Sequence, residues 1–190
     1  MQKESAASRI QANIQELFKG KLAPGEAYIK FQLTAKAAVG QADAGSATPA
    51  AKITALLSMK QVQESLIVKA DRITALPGMS ESIIGIMNSR DRVFCVYDLP
   101  HLLNLPTSLI ALQKYQIVVL EISQPQSGEK LQIGLAVEQI GGITRLAKDS
   151  FQPPTDVPAS LQPYVKACLK DAQQQFVLDI AAITAAITTK

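Results

Sequence analysis

From residue 28 the chain alternates between apolar and polar positions. In "YIKFQL", Ile29, Phe31 and Leu33 fall on one side and Tyr28, Lys30 and Gln32 on the other. That is the period of a half-buried strand. "ITALL" and "QESLIV" continue as strands, and "SMKQV" between them reads as one helical turn capped by Ser58. "IGIMNS" and "RVFCVYDL" carry apolar residues at both parities, which predicts strands buried on two faces. "YQIVVLEI" and "LQIGLAV" form a further pair around a turn containing Pro125 and Gly128. "IGGITRL" follows as a strand that Gly141 and Gly142 can bend, and "YVKACLK" and "QQFVLDI" are the last strands.

Helical spacing occurs only at the ends and in single turns. Ile10, Ile14, Leu17 and Phe18 make a narrow apolar stripe within residues 5–19, and residues 1–22 are expected to form an N-terminal amphipathic helix and linker. Asp179 is placed to cap a C-terminal helix carrying Ile180, Ile183 and Ile187. Ser80 is expected to cap a short helix after the Pro77-Gly78 turn, and "DLPHLLNLP" reads as a capped turn stopped by Pro106. Residues 34–52, rich in Ala, Gly and Ser, have little to bury and predict a mobile loop between two strands. "SFQPPTDVP" reads as irregular loop. Nine or ten short, closely spaced strands favour antiparallel barrels or sandwiches over an alternating α/β fold.

Composition narrows the class. Of 190 residues, 47% are hydrophobic and 18% charged, as in a globular chain, and the formal charge is only +3. The lysines are scattered, Trp is absent, and no stretch combines Lys/Arg with aromatics, which argues against a nucleic-acid groove. No apolar run approaches the ~18 residues of a membrane helix, and the N-terminus has no signal-type apolar region. Cys95 and Cys168 sit in separate apolar stretches, as reduced buried thiols of a cytosolic protein do.

Catalytic chemistry finds little support. His101 is the only histidine and has no Ser or Cys motif beside it, no phosphate-binding glycine loop occurs, and Cys95, His101 and Cys168 fit no zinc spacing. Asp91 and Asp98, separated by a strand, lie ~20 Å apart and cannot share a proton. What remains is the charge in "IIGIMNSRDRVFCVYDL", where Asn88, Arg90, Asp91 and Arg92 interrupt an apolar run. Two readings stay open: a solvated hairpin turn, or an arginine paired with a carboxylate of a neighbouring strand to stiffen a recognition surface.

Three segments in order resemble one family. "SMKQVQESL" is similar to the Val-x-Glu element of CheW-like domains. "LPGMSESIIGIMNSRDRVFCVYDLPHLLNLP" resembles their Pro-Gly turn, strand glycine, Asn-x-Arg-Gly turn and Asp-Leu, and "IGLAVEQIGGITRL" resembles their Gly-Leu-x-Val-Asp-x-Val strand pair. The resemblance spans residues 28–188. It implies a mainly β protein of two five-stranded SH3-like barrels with short helical turns, intertwined within residues 23–188, plus N- and C-terminal helices. It also implies a non-enzymatic adaptor, without cofactor or metal, that couples a methyl-accepting chemotaxis receptor to a CheA-type histidine kinase. "SMKQVQES…SIIGIMNSR" is similar to the branch serving type IV pilus motility.

By position, the resemblance assigns receptor binding to Val62, Glu64, Gly85, Asn88 and Arg90, with Arg90 paired to Glu64. Asp91 stands where the family has Gly, so a turn that needs φ > 0 there carries a modest cost, and Arg90 is offered a second carboxylate. The expected location is cytoplasmic, at membrane receptor arrays without insertion. The alternatives are a β-barrel nucleic-acid binder and a regulatory-domain-like partner of a kinase.

Overall fold

The computed structural model describes residues 25–36, 50–109, 112–123, 128–170, 172 and 174–189; the expected N-terminal helix and residues 37–49 of the expected loop lie outside these. Among the described residues, eleven strands form two curled sheets. The first holds β1 (Glu26–Lys36), β2 (Ala50–Ser58), β8 (Gln139–Leu146), β9 (Phe151–Gln152), β10 (Val165–Leu169) and β11 (Gln175–Leu178), in the order β8-β1-β2-β11-β10-β9. The second holds β3 (Val62–Lys69), β4 (Ile83–Ser89), β5 (Arg92–Asp98), β6 (Lys114–Ser123) and β7 (Lys130–Val137), in the order β3-β6-β7-β5-β4. Each is built around five substantial strands, with the two-residue β9 at an edge. The chain starts in the first sheet, builds the whole second one, and returns.

One apolar core is shared by both sheets. Ile29, Phe31 and Leu33 of β1 enter it, as their alternation requires, against Leu57, Ala55 and Ile53 of β2. The bulk of Phe31 lies opposite the small Ala55, so the pair fills the layer without overpacking. Val118, Leu120 and Ile122 of β6 and Ile133, Leu135 and Val137 of β7 reach the same core from the second sheet. Helix α1 (Leu99–Leu102) and the turn after it add Leu99, Leu102, Leu103 and Leu105, and helix α2 (Ile180–Thr189) adds Ile180 and Ile183. Inside the second barrel, Val68, Met87, Phe94, Val96, Ile117, Val119 and Ala136 form a core of their own. A smaller one, Tyr28, Leu56 and Val177, lies on the other side of the first sheet.

Several local expectations are corrected. The loop expected over 34–52 is narrower, because Thr34, Ala35 and Lys36 pair with Lys52, Ala51 and Ala50. A strand partner satisfies their backbone, which outweighs the weak strand preference of alanine. "SMKQV" is a reverse turn closed by Val62 N–H to Met59 O, and Ser80 begins a turn closed by Ile83 N–H to Ser80 O; neither continues into a helix. Neither β4 nor β5 is buried on two faces, since each alternates between the second barrel's own core and a half-exposed face; β6 and β7, which face that core on one side and the shared core on the other, are. β9 falls in the expected "SFQPPTDVP" loop. Two strand pairs, β2–β11 and β5–β7, are parallel. The expected caps do form: the Asp98 side chain accepts from His101 N–H at 2.9 Å and that of Asp179 from Ala181 N–H at 2.9 Å. Cys95 and Cys168 are unpaired, Cys168 buried and Cys95 half-buried.

Candidate functional site at a barrel mouth

The charged run 88–92 is the tip of the β4–β5 hairpin. Ser89 pairs with Arg92, leaving Arg90 and Asp91 as a two-residue turn with φ of +47° and +62°. Two positive φ values mark a type I′ turn, which matches the twist of a hairpin and favours Asn-Gly. Here Arg and Asp bear that strain. Asp91→Gly is therefore expected to stabilise the fold by about 0.5–1 kcal/mol, seen as a higher urea midpoint with an unchanged slope.

The tip is charged because of where the barrel ends. Phe94 faces the second barrel's core, and two residues back along β5 the same inward position is Arg92. The same parity leads from Met87 to Ser89 on β4 and from Val119 to Glu121 on β6 in two residues, from Val68 to Glu64 on β3 in four, and from Ala136 to Lys130 on β7 in six. Strand register brings these five positions to one open end of the barrel, since Glu64 lies opposite Val119, Ser89 opposite Arg92, and Glu121 opposite Gln132. Inward-facing side chains are apolar where the barrel is filled and charged where it meets water.

At this mouth the two carboxylates are taken by separate arginines of one hairpin. Glu64 Oε2 lies 3.1 Å from an Arg90 guanidinium nitrogen, and its Oε1 accepts from Ser89 Oγ at 2.9 Å. Glu121 lies 3.7 Å from Arg92 and 2.7 Å from Lys130 Nζ. The Glu64 side chain is 15% exposed and that of Arg90 81%. The exposed head is oriented by a covered anchor.

The predicted residues separate into distinct places. Arg90 and Glu64 meet as expected, and Asp91 does not displace Glu64 as the partner. Asn88 is exposed beside them and lines an open groove of about 810 Å³ between β3 and β4, the two edge strands. Val62 points elsewhere. A bulge between Val62 and Glu64 sets Val62 opposite Leu120, and it packs on the shared core, whereas Glu64 sits over Val119. Gly85 is buried near the start of β4 and presents no side chain; a Cβ there would lie 2.4 Å from Thr74 O. Its part is to let residue 74 approach β4. Glu121 and Lys130 carry no sign in the sequence, and Arg92 stands out there only as part of the charged run, though period two counted back from Phe94 marks it as inward-facing.

Elsewhere, burial pushes the Tyr97 phenol up, with Cys95 adding to it, and the hydrogen bond from Lys60 holds the Glu26 carboxyl below its usual range. His101 Nε2 lies 3.8 Å from a Glu81 oxygen at the surface. Among the described residues no group of three His, Cys, Asp or Glu side chains could hold a metal, and no helix is long and apolar enough to cross a membrane.

Residues 49–187 match the family described as CheW-like domain. Among solved structures, the scaffolding protein TtCheW from Thermoanaerobacter tengcongensis is similar, with a TM-score of 0.58 and 20% identity over 83% of this chain and 90% of that one. No curated protein matches the chain.

Proposed function

Because the chain belongs to the CheW-like domain family, we propose that it is a non-enzymatic adaptor coupling a methyl-accepting chemotaxis receptor to a CheA-type histidine kinase, in chemotaxis or type IV pilus motility. It works in the cytoplasm and is recruited to membrane receptor arrays. The observation that carries this reading is Arg90, 81% exposed yet fixed by Glu64 at 3.1 Å. An arginine ordered before the partner arrives loses less freedom on binding, and arginine is a frequent anchor at interfaces. The same ion pair contributes little to folding, about 0–1 kcal/mol, because water screens it and two long side chains are restrained. Asn88, exposed at the rim of the adjoining groove, extends the receptor face. Val62 and Gly85 support it from beneath, by packing and backbone geometry.

The test is a titration of the receptor's cytoplasmic hairpin against Arg90→Ala. Affinity is expected to fall by about 1–2 kcal/mol, roughly tenfold, with the urea midpoint little changed. Glu64→Ala is expected to do part of the same damage, and the double variant to lose less than the sum. Receptor binding by Arg90→Ala equal to that of the unaltered protein would reduce the charged tip to a solvated turn.

A further inference from the structure

The Glu64–Arg90 pair uses only part of the charge at the barrel mouth. Beside it Glu121 is 18% exposed, while Arg92 and Lys130, which it holds at 3.7 and 2.7 Å, are 57% and 65% exposed. We infer that Arg92 and Lys130, mounted on Glu121, form a second recognition element next to Arg90, and that the receptor segment seated here carries carboxylates. This deepens the adaptor reading and rests on it.

The inference follows from which charges an incoming surface meets. Glu64 and Glu121, the inward-facing carboxylates, are largely covered and already paired, whereas the three cations present their heads to water; the exposed carboxylates nearby are Asp91 of the turn and Glu129 just before β7. A guanidinium has five N–H donors and an ammonium three, and each ion pair here occupies only part of that capacity. An arriving carboxylate can therefore bond to donors that water holds, without breaking the pairs that orient them. A basic segment would meet the same cations and be repelled. The adjoining groove adds Lys69 and Arg72 but also Asp71 and Asp91, so it leaves the positive excess of the mouth in place. Among the described residues, the strand partners of Arg92, Glu121 and Lys130 are Ser89, Gln132 and Ser123, none of them aromatic, which suits an acidic protein surface better than stacked bases.

The test uses the full chain and the cytoplasmic hairpin of a methyl-accepting receptor encoded in the same genome, titrated at low and at moderate salt. The double variant Arg92→Gln/Lys130→Gln is expected to bind about five- to tenfold more weakly at low salt and to show a flatter salt dependence. Arg92→Lys is expected to keep most of the affinity, since the charge remains. Where the double variant is unstable by its urea midpoint, Lys130→Gln alone carries the test, with a smaller loss in the same direction. Binding of the variants equal to that of the unaltered protein, with the same salt slope, while Arg90→Ala still weakens it, would overturn the second element and leave the adaptor reading standing. No binding by the unaltered protein would remove both; binding that neither Arg90→Ala nor the double variant weakens would overturn the second element and place the receptor away from this mouth.

Discussion

Gly85→Ala is expected to destabilise the protein by about 3–5 kcal/mol, although it adds a single methyl group. The added Cβ would lie 2.4 Å from the carbonyl oxygen of Thr74 and 2.8 Å from its carbonyl carbon. Neither atom is free to retreat, because Thr74 and Ile86 exchange backbone hydrogen bonds of 2.8 and 2.9 Å. The backbone at Gly85 has φ of +158°, where a side chain is strained whatever the space. Relaxation by breaking the Thr74–Ile86 bridge would leave two backbone pairs unmade, at about 1–3 kcal/mol for each group that stays buried. Both routes are costly. Urea denaturation checks this, and a loss below about 1 kcal/mol would mean that the 73–74 segment yields easily.

The other large effect is expected at Asp98. The residue is 5% exposed, with one carboxylate oxygen accepting from His101 N–H at 2.9 Å and the other from Thr107 Oγ at 2.6 Å. These bonds start α1 and fix the segment that delivers Leu99, Leu102, Leu103 and Leu105 to the shared core. Asp98→Ala removes the cap and strands both donors, and is expected to cost about 2–4 kcal/mol. Asp98→Asn keeps an acceptor for the cap and is expected to cost about half as much. An alanine variant as stable as the unaltered protein would show that the four leucines hold α1 without it. Because Asp98 lies at the far end of β5 from the Arg90 turn, Asp98→Asn should leave receptor affinity unchanged.

Much of this protein was legible along the chain. Alternation in "YIKFQL" gave the face of β1 that enters the core, and Asp179 marked the start of α2. Both signals are local, since side-chain direction in a strand and capping at a helix end depend on residues a few positions apart. The resemblance placed Arg90 against Glu64, a pair 26 positions apart whose partners cannot be matched from spacing alone.

Tertiary structure decided the rest. Whether two strands lie in one sheet, and whether they run parallel, depends on how the whole chain returns on itself, so the β2–β11 and β5–β7 pairs had no local sign. The bulge at residue 63 likewise belongs to the match between β3 and β6; without it Val62 and Glu64, two apart, would share a face. The second ion pair of the mouth shows the division most clearly. Arg92, Glu121 and Lys130 are ordinary charged residues at strand positions, and sequence fixes only their parity. They converge because closing the barrel brings β5, β6 and β7 into register at one end, and a contact between such distant residues is set by topology.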